Sequence, residues 1–144
     1  MSKRAQATAR TTLPISVEQA WAALSQHEAM ATWGPGMSVT VDDAKAETPG
    51  GVGAVRRISA PGPAPAIVEE ITTFDAPHVL GYRGLAGIPF RDYRGEVHLT
   101  PQGSGVAVEW TLSAQARVPF VEQGALALVA RTLLSLYSRA ARKG

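Results

Sequence analysis

The chain has 144 residues, of which 45% are hydrophobic and 18% charged, and its formal net charge is only +2. This composition is typical of a folded globular protein, and we expect residues 1–144 to form a single domain. The sequence contains no cysteine, which excludes disulfides and thiolate chemistry. The arginines are mixed with acidic residues except at the two chain ends, so we do not expect nucleic acid as a partner.

The N-terminal residues Met1–Thr11 lack the apolar core of a secretory signal peptide. No apolar run elsewhere approaches the length of a membrane-spanning helix. We therefore expect a cytoplasmic protein that does not insert stably into membranes.

The first part of the chain predicts a strand followed by two short helices. Residues Ala5–Leu13 alternate in the manner of a strand. Ser16 is a good N-cap for a helix, and Gln19 three residues later predicts a capping box. That helix carries four apolar residues on one face, namely Val17, Ala20, Trp21 and Leu24. A second helix is predicted at about Glu28 to Thr32.

Proline and glycine turns divide the next part of the chain into short segments with the alternation of strands. The predicted strands are Ser38–Val41, Gly51–Ser59, Ala66–Phe74, Val79–Leu85, Arg91–Thr100 and Val106–Ala116. With the first strand they make seven, and the tight turns between them predict an antiparallel sheet.

A long helix is predicted from Pro119 to Lys143, with cations near its end that complement the helix dipole. One stripe of this helix is expected to face the sheet: Phe120, Val121, Gly124, Ala125, Leu128, Val129, Thr132 and Leu136. Leu133, Leu134 and Tyr137 do not all fit the stripe. We expect them to cover a second subunit in a homodimer or to cap the edge of the sheet.

Strand alternation places several polar side chains on the inner face of the sheet. Arg56 alternates with apolar neighbours, and Glu69 lies between Ile67 and Ile71. The opposite register of the Glu69 strand is nearly as apolar, and we favour the one that turns Glu69 inward. Tyr82, Arg91, Tyr93 and Trp110 also have inward parity in their predicted strands.

Several segments carry a family resemblance: Pro14–Leu24, Met30–Trp33, Gly51–Ile58, Glu69–Pro77 and Leu80–Arg83. Their order and spacing resemble the START-like superfamily, also called SRPBCC, and within it the bacterial polyketide cyclase/dehydrase and lipid-transport branch. These proteins are distantly similar to the birch-pollen allergens. The resemblance implies an α+β helix-grip fold, in which an antiparallel seven-stranded sheet wraps around a long C-terminal helix. Two short helices follow the first strand, and an apolar tunnel lies between sheet and helix.

Three functions are open on this basis. The first is binding or transport of a small hydrophobic ligand, such as a lipid or polyketide, in the tunnel. The second is a polyketide aromatase/cyclase or dehydratase. The third is a non-enzymatic protein that binds a partner, with the tunnel collapsed. Whether the chain is an enzyme is therefore left undecided.

The candidate catalytic residues are Arg56, Arg91 and Tyr82. The arginines would anchor an enolate oxygen and the tyrosine a carbonyl. As an alternative, Arg56 and Glu69 form a buried ion pair, and the tryptophans are core residues. The candidate ligand-binding residues are Trp33, Arg56, Glu69, Tyr82, Arg91, Tyr93, Trp110, Gly124, Leu128 and Thr132.

The three histidines, His27, His78 and His98, lie in different predicted elements and have no metal-ligand spacing. His27 ends the first helix, where we expect it to complement the dipole. The sequence has neither a nucleophile elbow nor a phosphate-binding loop. We therefore expect no metal and no cofactor.

Overall fold

The computed structural model describes residues 3–118 and 120–143. Seven strands form one sheet in the order β1-β7-β6-β5-β4-β3-β2. They are β1 Lys3–Leu13, β2 Ser38–Asp42, β3 Val55–Ser59, β4 Ile67–Asp75, β5 Val79–Ala86, β6 Arg94–Gln102 and β7 Gly105–Ala116. The helices are α1 Val17–Ser25, a 3-10 helix His27–Thr32 and α2 Val121–Lys143. The predicted α+β helix-grip architecture is confirmed.

All neighbouring strands pair antiparallel, and the first strand closes against the last. The β1–β7 register runs from Lys3 opposite Ala116 to Leu13 opposite Val106. The predicted alternation of the last strand is confirmed, because its inward residues are all buried: Val106, Val108, Trp110, Leu112 and Ala114. This face of the sheet, α1 and α2 enclose one core.

Helix α1 begins as its sequence predicts. The Ser16 hydroxyl accepts a hydrogen bond from the Gln19 backbone N–H at 3.0 Å, as an N-cap does. The predicted capping box is wrong in its second bond, which would join the Gln19 side chain to the backbone of Ser16. The Gln19 side chain instead donates to the carbonyl oxygen of Ala141 at 2.9 Å. This bond ties α1 to the C-terminal end of α2.

The face that helix α2 turns to the sheet overlaps the predicted stripe only in part: Val129 and Leu136 pack against the core as predicted, but other members of the stripe do not. Its buried residues are Leu126, Ala130, Leu134, Tyr137 and Ala141. Gly124, Leu128 and Thr132 are exposed instead, so the prediction that they line the tunnel is wrong. The predicted outward position of Leu134 and Tyr137 is also wrong, which removes the reason for a homodimer. The predicted helix start at Pro119 lies outside the described residues.

The packing of Tyr137 explains this orientation. Its hydroxyl donates to the carbonyl oxygen of Ala20 in α1 at 2.6 Å, and its ring is fully buried. Ala130 and Ala141, on the same face, are small enough for α2 to approach the sheet closely. In the described part of the chain, no helix is both long and apolar enough to cross a membrane.

Gly124→Ala is expected to raise the free energy of unfolding by about 0.5–1 kcal/mol. The glycine lies in an exposed part of α2, and a Cβ there would meet no atom within 4 Å. Alanine loses less backbone entropy than glycine when a helix forms. Urea unfolding measures the change, and a destabilised variant would indicate that the position is packed.

Candidate functional site

A mainly apolar cavity of about 240 Å3 lies between the inner face of the sheet and α2. Helix α2 contributes Val129, Leu133 and Leu136 to its wall. The connection between β5 and β6 contributes residues 87–90, and the 3-10 helix with the loop after it contributes Met30, Trp33 and Met37. Polar side chains are confined to the part of the wall formed by β3, β4 and β5 and by Tyr93.

A buried ion pair forms part of that polar wall. Arg56 and Glu69 lie directly opposite each other on β3 and β4, and they are only 3% and 5% exposed. The Nε and Nη2 atoms of Arg56 each lie 2.8 Å from Oε1 of Glu69. The guanidinium carbon also lies 4.8 Å from the ring centre of Tyr82, in a cation–π contact. The inward register of Glu69 and the ion-pair alternative are both confirmed.

His27 extends this pair into a chain of three residues. Nη1 of Arg56 lies 3.2 Å from Nδ1 of His27, and Nε2 of His27 lies 2.8 Å from the carbonyl oxygen of Gly50. Because an arginine side chain has only donors, Nδ1 accepts and Nε2 carries the proton that bonds Gly50. The predicted dipole role of His27 is wrong, since the ring is 3% exposed and directed at Arg56.

The neutral state of His27 predicts a pH dependence of stability. Burial, and secondly the Arg56 charge, lower the pKa of His27 below its ordinary 6.5. Below about pH 6.5 the unfolded chain therefore binds more protons at this residue than the folded chain does. We expect the free energy of unfolding to fall as the pH drops from about 6.5 toward the folded-state pKa.

Urea unfolding at a series of pH values, with NMR titration of the His27 ring, checks this expectation. His27→Gln is the control, because it removes the titrating group and should flatten the pH dependence in this range. A His27 pKa at or above 6.5 in the folded protein would contradict the expectation.

Two tyrosines complete the polar wall. The Tyr82 hydroxyl accepts a hydrogen bond from Nε1 of Trp110 at 3.2 Å, and its ring lies 6.2 Å from that of Tyr93. Burial, with the Glu69 charge as a second cause, raises the pKa of Tyr82 to about 12. Burial likewise raises the pKa of Tyr93, with the nearby Tyr82 as the second cause. Both hydroxyls therefore keep their protons at neutral pH and can donate hydrogen bonds.

Trp33 belongs both to the core and to the cavity wall. Its ring makes edge contacts with Trp110 at 6.2 Å and with Tyr137 at 5.8 Å between ring centres. Trp110 and Tyr137 are themselves 5.8 Å apart. The three rings form an aromatic cluster that holds the 3-10 helix end against α2.

Arg91 lies away from the cavity, contrary to its predicted inward position. It is exposed in the connection before β6, which begins only at Arg94. Asp92 has a φ of 51°, and this left-handed residue breaks the alternation on which the prediction of Arg91 depends. Tyr93 is nevertheless buried at the cavity.

Six of the predicted ligand-binding residues meet at this cavity: Trp33, Arg56, Glu69, Tyr82, Tyr93 and Trp110. Sequence reasoning did not assign Leu133 to the site, nor did it assign Ile88 and Phe90. A helical stripe through Val129, Leu133 and Leu136 is the signal that could have found the α2 wall. Within residues 3–118 and 120–143, no group of three or more His, Asp or Glu side chains could hold a metal ion.

Comparisons with known proteins agree with this architecture. Ara h 8.0201 superposes with a TM-score of 0.74 over 96% of this chain and 95% of its own, at 14% sequence identity. Norcoclaurine synthase from Thalictrum flavum, in complex with dopamine and hydroxybenzaldehyde, gives 0.75 over 99% and 88%, at 15% identity. A point mutant of that enzyme with a transition-state analogue gives 0.74 over 99% and 97%, at 14% identity.

At these identities the solved structures establish the fold alone. No curated protein matches the chain in sequence. The family described as "Polyketide cyclase / dehydrase and lipid transport" matches residues 4–143, which is nearly the whole chain. Family and fold together indicate a hydrophobic-ligand-binding or polyketide cyclase-like protein. The chain therefore belongs to the polyketide cyclase/dehydrase and lipid transport family and has the START-like (SRPBCC) helix-grip fold.

Proposed function

We propose that this protein binds a small hydrophobic ligand of one or two rings in the cavity between the sheet and α2. The observation that carries the proposal is the cavity itself, about 240 Å3 with mainly apolar walls. A dry cavity of roughly 150 Å3 holds benzene, and drug-sized ligands need roughly 300–1,000 Å3. We further propose that residues 1–144 act as one cytoplasmic domain.

The polar wall favours a ligand that carries an oxygen acceptor. The protonated hydroxyls of Tyr82 and Tyr93 can donate to a carbonyl or phenol oxygen. Arg56 is less suited to this task, because its guanidinium already bonds Glu69 and His27. A cyclic ketone or a phenol therefore suits the cavity better than a hydrocarbon of the same size.

Leu133→Trp is expected to weaken ligand binding at least tenfold, because an indole at this position would fill the cavity that Leu133 lines. Leu128→Trp is the matched control, since Leu128 is on the same helix but 67% exposed. Binding of 2-naphthol and of related ketones is measured by thermal shift and tryptophan quenching. A ligand at 100 times its Kd should stabilise the wild-type protein by about 2.7 kcal/mol.

Two results would contradict the proposal. One is a panel of one- and two-ring phenols and ketones in which no compound raises the melting temperature of the wild-type protein. The other is an equal loss of binding in Leu128→Trp and Leu133→Trp. Naphthalene tests the polar wall, because it should bind more weakly than 2-naphthol if the tyrosine donors are used.

The cyclase or dehydratase alternative is supported by the two protonated tyrosines, which lie beside the Glu69 carboxylate at the cavity wall. The two arginines that were expected to anchor an enolate oxygen do not both lie at the cavity, since Arg91 is exposed. This alternative predicts turnover of a poly-β-ketone that Tyr93→Phe abolishes while ligand binding persists. The partner-binding alternative needs a collapsed tunnel, and the open cavity supports ligand binding over it.

A further inference from the structure

A second depression, of about 780 Å3, lies on the outside of the molecule between β1 and the C-terminal half of α2. Among the described residues of its lining, all the charged ones are cations: Arg10, Arg131, Arg139, Arg142 and Lys143. We call it the basic groove. The sequence gathers arginines at the two chain ends, and the fold brings these ends side by side. Five of the 14 lysines and arginines therefore line one groove in a chain whose net charge is only +2.

The helix dipole does not account for all of these cations. Arg142 and Lys143 lie in the last turn of α2, where they complement the dipole. The dipole effect falls off within one turn, and Arg131 lies about three turns before the helix end. Arg131 therefore adds positive charge to the groove outside the reach of the dipole effect.

Three of the four groove arginines have no acidic partner among the residues that the structure describes. Among the described residues, no carboxylate lies within 4.0 Å of the guanidinium of Arg131, Arg139 or Arg142. Arg10 does pair with Glu109 on the adjacent strand, at 2.9 Å. Within residues 3–118 and 120–143, no carboxylate therefore competes with an external anion for the donors of these three guanidiniums.

The spacing of the α2 residues makes the groove elongated. Arg131, Ser135, Ser138 and Arg142 recur at intervals of four, three and four residues, so they form one stripe along the helix. The Cα atoms of Arg131 and Arg142 are about 16 Å apart along the axis. Hydroxyl residues also line the groove, namely Ser135 and Ser138 on the helix and Thr8 and Thr11 on β1.

We propose that the basic groove binds an elongated soluble anion with two or more phosphate groups. Guanidinium groups bind phosphate oxygens through paired hydrogen bonds, and serine and threonine hydroxyls add further donors. A membrane surface fits less well, because the only aliphatic residues of the lining, Ala9 and Leu134, are buried and cannot enter a bilayer.

The experiment is a titration with phosphate, pyrophosphate and tripolyphosphate at a fixed ionic strength of about 150 mM, followed by calorimetry and NMR shifts. Affinity should rise with the number of phosphates. Arg131→Gln/Arg142→Gln should weaken tripolyphosphate binding at least tenfold. The control Arg57→Gln/Arg91→Gln removes the same number of positive charges at exposed positions away from the groove. It should change the affinity for tripolyphosphate less than twofold. Circular dichroism melting verifies that both variants fold.

Equal weakening in the two double variants would overturn the proposal, because it would reflect net charge alone. Absence of tripolyphosphate binding by the wild-type protein would also overturn it. Vesicles with and without anionic phospholipid separate the two sources of phosphate. Binding to anionic vesicles that Arg131→Gln/Arg142→Gln abolishes and that tripolyphosphate does not displace would assign the groove to a membrane surface and overturn the proposal of a soluble ligand.

Discussion

Arg56→Ala is expected to lower the free energy of unfolding by about 3–5 kcal/mol, because it leaves the Glu69 carboxylate buried without its partner. Glu69 is 5% exposed and receives two contacts of 2.8 Å from the guanidinium. The substitution also removes the donor to Nδ1 of His27 and the cation above the Tyr82 ring. A loss of this size is a large share of the stability of an ordinary domain.

Urea unfolding at pH 7 measures the loss, and the neighbouring residue supplies the control. Arg57 is exposed on the opposite face of β3, so Arg57→Ala should change stability by less than about 0.5 kcal/mol. Arg56→Met/Glu69→Leu should recover much of the loss, because apolar pairs of similar volume often replace buried ion pairs at little cost. A change below about 1 kcal/mol in Arg56→Ala would mean that water reaches Glu69.

The facing of β3 and β7 could be predicted from the sequence because apolar residues alternate regularly along both strands. In β7 every second residue from Val106 to Ala114 is apolar, and each of these is buried. The same rule placed Arg56 inward, between the buried residues Ala54 and Ile58. If the pairing of a strand shifted by one residue, its inward apolar residues would face solvent. The register of these strands is therefore strongly determined.

Which face of α2 meets the sheet could not be predicted in the way that the facing of the strands could, because the first half of the helix has apolar residues on two faces. Val121 and Leu128 are on the outer face, whereas Leu126 and Ala130 are on the inner face. Arg139 lies seven positions after Thr132, so the two residues share the outer face of α2. The charge of Arg139 indicates that this face meets solvent. It is a better guide to the orientation of the helix than the spacing of the apolar residues.

The contact between His27 and Arg56 had no local signal in the sequence. The residues are 29 positions apart, and the contact depends on how the 3-10 helix lies against β3. Arg91 shows the converse limit, since one left-handed residue at Asp92 ends the alternation that would turn it inward. Strand parity therefore predicts which residues share a face only within an unbroken strand.

Gly95→Ala is expected to destabilise the protein by about 1–3 kcal/mol through a clash with the Tyr82 ring. Gly95 lies opposite Tyr82 in the β5–β6 register, and an added Cβ would come within 2.2 Å of Cζ and 2.4 Å of the hydroxyl oxygen. Tyr82 cannot easily move away, because Trp110 bonds its hydroxyl and Arg56 lies over its ring. A glycine at this position is therefore required by the tyrosine that packs on it.

The sign of the change in unfolding free energy distinguishes a clash in Gly95→Ala from the ordinary effect of replacing glycine by alanine. Without the clash, alanine in a strand should stabilise the protein by about 0.5–1 kcal/mol, as expected for Gly124→Ala in α2. Gly95→Ala should cost less when Tyr82→Leu has already removed the ring, and a double-mutant cycle in urea measures that coupling. Equal costs in both backgrounds would place the strain elsewhere. Since Tyr82 also lines the cavity, a displaced ring should weaken 2-naphthol binding in Gly95→Ala, and this links the packing of one glycine to the proposed ligand site.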